Sequence, residues 1–473
     1  MDLSPALQQL VRPGSVVIES DHRLAERVQI AAKNLGIDRP HYGPPKPLKP
    51  ISAMHQVLVD VTPIELLHEV GRATVFQERA ALRDIQRIWA QLRYCDAFSY
   101  GKVKLPRGRH LLRMSEDALA KRFHHANVQS ETLGIGFAII LARHVLSHGD
   151  PSWTWIPVDA EMVLDAGFDI PEGRLRPYSR KDTKLRPDYF LFGHKSDGLL
   201  SRTRLVVLEC KGTHYQKNVL EQLSKAAFQL QSVHVGGATP PGLMISTVLE
   251  AERITVHILD PDGDDELWQG DPAELSDETD QLNLSRTPSP ENPVDNEALP
   301  EQLDLFPGLG PALQVFPEPA GTASLAEVYP IPAEQKGWFA RVLSRTAAAA
   351  SLLFAGDQTR AQRLISERQR QRTFGNREPD LPELHHRNTG IGIARGTSTT
   401  VRWTGGRRLE VFNGIDVALL TSLNEHGAGE YVSRTRAGKP EIDGTGDEVF
   451  LRAGDGTVTG FRLLPSSRRR RRI

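Results

Sequence analysis

Between residues 130 and 260 the apolar positions predict one helix, three strands, a second helix and two further strands. Ser130 followed by Glu131 reads as a helix start. Leu133, Phe137, Ile140, Leu141 and Val145 then recur at three- and four-residue spacing to about Leu146. Strand-like runs follow at 153–158, 187–192, 204–212 and 242–249. Between the third and fourth, Val219, Leu223, Ala226, Ala227, Leu230 and Val233 mark an amphipathic helix over 218–233. A last apolar run at 254–259 predicts a fifth strand. This order implies an α/β fold, a mixed sheet flanked by helices.

The flanking regions read differently. Residues 1–125 predict a mainly helical N-terminal region, with helical spacing at 62–70 and at 75–92 after a Pro-rich piece at 39–50. From Asp262 to about Pro330 the chain is dominated by Asp, Glu, Pro, Gly and Ser, as in Asp262-Gly-Asp-Asp-Glu266. Such a segment buries too little apolar surface to offset its ordering entropy, which predicts a disordered acidic linker. Its one apolar island, Leu303-Asp-Leu-Phe-Pro307, is either a docking motif or residual stickiness. Residues 333–372 are helical in pattern, and from Gly390 short apolar runs broken by Gly, Asn and Asp predict a small β-rich module, 417–420 among its strands. The division is therefore 1–125, 126–260, 261–330 and 331–473.

Composition narrows the class. In 473 residues the longest apolar runs, 137–142 and 347–354, fall far short of the roughly 18 needed to span a membrane. The first residues lack the basic and apolar regions of a secretory signal. With Cys95 and Cys210 as the only cysteines, a disulfide framework and a cysteine-rich zinc module are both excluded. The expectation is a cytoplasmic protein with no membrane partner. The net charge of −1 hides a segregation. Residues 1–260 carry 33 Lys and Arg against 28 Asp and Glu, residues 261–330 carry one against 16, and residues 331–473 carry 24 against 15. Five consecutive arginines at 468–472 suit a tail for polyanions. Residues 101–122 are basic, a solvated surface on one reading and a phosphate-facing patch on the other.

Charges within two strands carry the chemistry. Leu205-Val-Val-Leu-Glu-Cys-Lys211 starts as a buried strand and ends with Glu209 and Lys211, which alternation places on one face, with Leu208 and Cys210 on the other. The preceding strand opens with Asp188. If the hairpin is symmetric about Asp197-Gly198, positions summing to about 397 oppose one another, so Asp188 meets Glu209. Two carboxylates that close repel unless a cation sits between them or one is protonated. A hard divalent ion, Mg²⁺ with Mn²⁺ as substitute, is the natural occupant. Cys210 is directed into the core, where a thiol is inert. His124-His125 and His385-His386 are adjacent pairs that diverge and make poor metal ligands, and Gly134-Ile-Gly136 within an apolar helix suits close packing.

Pro187-Asp188 followed by Glu209-Cys210-Lys211, set in this helix–strand–helix order, resembles the PD-(D/E)XK nuclease superfamily over residues 125–260. The resemblance implies a restriction-endonuclease-like fold and a metal-dependent endonuclease, with DNA favoured over RNA as substrate. It implies Asp188, Glu209 and the Cys210 carbonyl as metal ligands and Lys211 as the catalytic lysine. Glu131 is the candidate for an additional acidic ligand from the first helix. Gln222, Lys225 (or Gln216) and Arg186 are candidates for substrate contacts. By analogy the setting is bacterial restriction or phage defence, acting as a homodimer or with a partner subunit. The alternatives are a non-catalytic nucleic-acid-binding or scaffold protein on the same fold and a transposase endonuclease subunit.

Overall fold

The structure is a computed structural model that describes residues 3–38, 45–76, 88, 91–120, 123–165, 186–197, 200–261, 263, 314–316, 326–331, 336–375, 383–402 and 407–465. In the first 261 residues, α1 (Pro5–Val11), β1 (Gly14–Glu19), α2 (His22–Asp38), β2 (Leu48–Pro50), β3 (Leu58–Val61), α3 (Pro63–Ala73), β4 (Phe98–Lys104) and β5 (His110–Met114) precede the long helix α4 (Phe123–Gly149). Then come β6 (Thr154–Asp159), α5 (Ala160–Asp165), β7 (Tyr189–Asp197), β8 (Leu200–Thr213), α6 (Val219–Gln229), β9 (Val233–Val235), β10 (Gly242–Leu249) and β11 (Ile254–Pro261). All these strands except β9 form one mixed ten-stranded sheet, ordered β4-β5-β1-β11-β10-β8-β7-β6, with β2 on β11 and β3 on β1. The five strands expected between 153 and 259 are all present. β8 and β10 are parallel and joined through α6, while β6, β7 and β8 run antiparallel in turn.

Alternation divides the sheet into two apolar faces. Phe190, Phe192, Leu205 and Val207 pack with α2 and α6 and with Phe339 from the C-terminal half. Tyr189, Leu191, Val206, Leu208 and Cys210 pack on the other side with Leu133, Phe137 and Leu141 of α4 and with α3. Among the described residues α4 alone is long and apolar enough to cross a membrane by composition, and 56% of that window is buried against these partners. α4 also corrects an expectation: it begins at Phe123, so Ser130 is no cap but an interior residue whose hydroxyl donates to the Asn127 carbonyl at 3.0 Å.

The N-terminal region is mixed: beside α1, α2 and α3 it contributes β1 to β5 to the sheet, and in β1 the β-branched run Val16-Val17-Ile18 after Gly14 favours strand. The helix expected over 75–92 lies mostly outside the described residues. The supposed linker contains two strands, β12 (Gln314–Phe316) and β13 (Ala326–Ile331); β13 pairs with β9, placing Ile331 beside Val235. The remainder of 264–325 lies outside the described residues, including the Leu303–Pro307 island, as do the five terminal arginines.

Beyond it lie α7 (Lys336–Ala355), α8 (Gln358–Leu364), α9 (Glu367–Phe374), β14 (His385–Asn388), β15 (Ile393–Arg402), β16 (Arg408–Asp416), α10 (Val417–Ser433), β17 (Glu441–Thr445), β18 (Glu448–Arg452) and β19 (Thr457–Leu464). The strands form a separate six-stranded antiparallel sheet, so the β-rich expectation holds. One run expected as a strand, 417–420, is instead the start of α10. Asp416 accepts the Ala418 and Leu419 N–H groups at 2.9 and 3.4 Å and caps the helix.

Buried polar contacts join this second sheet to α3. Arg72 and Asp455, each 2% exposed, are 2.6 Å apart. His68 lies between the Thr459 and Thr457 hydroxyls at 2.9 and 3.0 Å, and the Gln91 and Asn413 amides bond reciprocally. Burial lowers the His68 imidazole to about 4, so it is neutral in this network.

Candidate active site

The hairpin β7–β8 pairs Tyr189 with Leu208, Phe190 with Val207 and so on to Asp197 with Leu200, every pair summing to 397 as symmetry about the turn required. Continued one step, the ladder sets Asp188 against Glu209, and two hydrogen bonds tie Asp188 to residues 209 and 210 there. The Asp188 N–H donates to Glu209 Oε2 at 3.1 Å, and the Cys210 N–H donates to Asp188 Oδ2 at 2.8 Å. Lys211 donates its ammonium to Glu209 Oε1 and lies 4.0 Å from Asp188 Oδ2. The Asp188 carbonyl accepts the Ala160 N–H at 3.2 Å, which fixes the residue against the start of α5.

The electrostatics follow from burial. Glu209 has no exposed surface, whereas Asp188 and Lys211 are 34% and 23% exposed. Burial first, and the Asp188 charge second, push the Glu209 carboxyl well above the usual carboxylate range. Burial alone would depress the Lys211 ammonium, but Glu209 and then Asp188 outweigh it and keep it protonated. At about 4 Å and an effective dielectric near 20, one charge pair is worth roughly 4 kcal/mol. One ammonium against two carboxylates leaves the cluster short of positive charge. That shortage, with hard oxygen donors, fits a divalent cation held by Asp188, Glu209 and the Cys210 carbonyl. Among the described residues no three His, Cys, Asp or Glu side chains converge on one point, so any such ion would draw its other ligands from backbone, water or substrate. Cys210 is buried, and burial followed by the Asp188 charge raises its thiol well above the ordinary value.

The other anticipated residues separate into near and far. Gln222 is near: its amide donates to the Gly212 carbonyl at 3.0 Å and accepts the Ser246 hydroxyl at 2.9 Å, tying α6 to the ends of β8 and β10. Lys225 is exposed and pairs with Glu221 at 2.7 Å, away from the carboxylates. Arg186 lies two residues before Asp188 but reaches Glu161 at 3.5 Å, with its carbonyl accepting from Gln229. Glu131 is exposed on α4 and is not grouped with Asp188 and Glu209 among the described residues. The helix packs so closely because Gly134 lies against the backbone of Gly212, where a Cβ would meet the Gly212 Cα at 2.8 Å. The two glycines of 134–136 are thus packing residues. His385 bonds Ser398 on β15, and His125 meets Arg93 at 3.2 Å.

Two features escape a reading of the sequence by motif. A polar row crosses the sheet beside Lys211, which pairs with Ser246, Ser246 with His257, and His257 with Glu19. His257 is 6% exposed, Gln216 meets its Nε2 at 3.0 Å, and burial lowers it to about 4. The signal was Thr255 and His257, two residues apart inside an apolar run. The second is Asp159, at the end of β6, whose carboxyl burial pushes up to about 6 with Glu161 and Asp188 adding to the effect. It accepts the Met162 N–H at 2.8 Å, capping α5. Compared with family models, curated proteins and solved structures, the chain matches none.

Proposed function

We propose that the protein is a metal-dependent nuclease that hydrolyses DNA phosphodiester bonds on a restriction-endonuclease-like fold. The observation that carries this reading is the pair of bonds across the hairpin, Asp188 N–H to the Glu209 carboxylate and Cys210 N–H to the Asp188 carboxylate, with Lys211 donating to Glu209 on the same face. When bound at the carboxylates, Mg²⁺ supplies Lewis-acid stabilisation and a water of lowered pKa. Asp188, Glu209 and the Cys210 carbonyl would hold it. The Lys211 ammonium, protonated between two carboxylates, stabilises negative charge building on the phosphoryl oxygens. The raised Glu209 carboxyl would couple ligation there to proton release. Gln222 keeps the end of β8 in place through the Gly212 carbonyl. Restriction or phage defence is the setting favoured by analogy.

One observation favours a second reading, a fold that binds nucleic acid without cutting it: only two acidic side chains meet among the described residues. A cleavage assay separates the two. Supercoiled plasmid, linear duplex, single-stranded DNA and RNA are incubated with Mg²⁺, Mn²⁺ or EDTA. We expect metal-dependent cutting of DNA that Asp188→Ala, Glu209→Gln and Lys211→Ala each reduce at least ~100-fold. DNA binding with no cutting in either metal would select the second reading.

A further inference from the structure

The hairpin β4–β5 lies at the far edge of the large sheet from the carboxylates, five strand positions from β8, a lateral distance of about 24 Å. Its base is fixed. Phe98, Tyr100, Leu112 and Met114 pack on the core, and the Tyr100 hydroxyl donates to the Arg12 carbonyl at 2.8 Å. Arg113 donates to the Ala251 carbonyl at 3.3 Å, and Arg109 lies 3.9 Å from Asp60. Past Tyr100 the ladder slips through a bulge, and the tip leaves the sheet. Lys102, Val103, Lys104 and Arg107 are all exposed there, Val103 by 75%.

Three properties of the tip point to a ligand. From Phe98 to Met114 there are five Lys or Arg residues and no Asp or Glu, and Lys102, Lys104 and Arg107 enter no ion pair among the described residues. The turn holds two successive left-handed residues, Arg107 at φ 61° and Gly108 at φ 73°. The first of these positions favours Asn or Gly, so an arginine is held there against the backbone's preference. The Lys104 side chain lies across Gly108, bringing it beside the Arg107–Arg109 turn.

We propose that this hairpin tip is a second nucleic-acid site that grips duplex DNA through its phosphates. A two-stranded ribbon fits the major groove, and the exposed cations of the tip match the phosphate oxygens that line it. Single-stranded RNA is a poorer match, since stacking needs exposed aromatics and Tyr100 is engaged at the base. An anionic membrane is also a poorer match, since Val103 is the one strongly exposed apolar residue of the tip and stable anchoring takes more. β5 runs parallel to β1, whose Glu19 end joins the polar row beside Lys211, so the tip also lies at the opposite strand end from the carboxylates. It therefore docks DNA and touches no scissile phosphate.

The test is fluorescence anisotropy of a labelled 24-base-pair duplex with EDTA across a NaCl series. The wild type is compared with Lys102→Ser/Lys104→Ser/Arg107→Asn, and asparagine keeps the left-handed turn. Three lost phosphate contacts should make the slope of log K against log salt shallower by about 2.7, with no fall in melting temperature. An unchanged slope overturns the proposal. So does loss of affinity confined to single-stranded RNA or to vesicles containing phosphatidylglycerol. The docking inference and the nuclease reading thus fail separately: a lost slope without any cleavage by wild type removes only the nuclease, and cleavage with an unchanged slope removes only the docking site.

Discussion

A carboxyl with no exposure, facing Asp188 and with a single ammonium for company, holds its proton more tightly than an ordinary carboxyl. Glu209 therefore links metal binding to proton release. Titrating Mn²⁺ in two buffers of different ionisation enthalpy should show proton release on binding. Glu209→Gln should abolish that release, and a buffer-independent heat in the wild type would contradict the linkage. Glu65 offers a separate test of the burial argument, because burial, then the Glu69 charge, raises its carboxyl to about 7. A carboxyl raised on folding binds its proton more tightly in the folded state. Its stabilisation is complete below about pH 4.5 and is lost as pH rises through 7, at up to about 1.4 kcal/mol per unit. Asp159, raised to about 6, acts in the same direction, whereas His68 and His257, both lowered to about 4, withdraw stability as pH falls below 6.5. The wild type minus Glu65→Gln difference in urea stability isolates one group. It should shrink steadily from pH 4.5 to 7, and a flat difference would refute the assignment.

At the scale of elements, the end of β8 is fixed by the absence of side chains. A Cβ on Gly212 would meet the Ser130 carbonyl oxygen at 1.8 Å, so Gly212→Ala must push α4 away from the strand that carries Glu209 and Lys211. We expect a loss of about 2–3 kcal/mol in urea unfolding, and any cleavage activity should fall with it. A variant as stable as wild type would show that α4 yields freely. The same hairpin explains what was legible in the sequence. Continuous apolar runs with charges at their ends fix strand, face and register together, which is why Asp188, Glu209 and Lys211 were placed by arithmetic alone. Glu131, Lys225 and Arg186 were harder, because helix rotation and side-chain direction depend on packing partners distant in sequence. β1 and α10 were missed for related reasons. Runs as short as Val16-Val17-Ile18 and Val417-Ala-Leu-Leu420 hold too little periodicity to separate strand from helix, and the Asp416 cap decides the second.

The whole molecule is less modular than its charge blocks suggest. Arg72–Asp455, His68 between two threonines, and Gln91 with Asn413 are buried contacts between residues 68–91 and 413–459. Removing one partner leaves the other charge or dipole stranded, so Asp455→Ala should cost about 3–5 kcal/mol. A protease site engineered at residue 290 provides a direct check: the cut protein should elute as one species and unfold in one transition. Two separable fragments would restore the picture of tethered modules. Strand order carries one more consequence. β1 is bounded on one side by β11, which the chain specifies some 235 residues later. At the roughly 5–20 residues per second of protein synthesis, that edge waits on the order of 10–50 s for its neighbour. During this time Val16, Val17 and Ile18 present an unpaired apolar border to the ribosome's surroundings. The candidate catalytic strand β8 is thus synthesised before β1 can gain its β11 neighbour, so the site's sheet can close only once residues 254–261 are made.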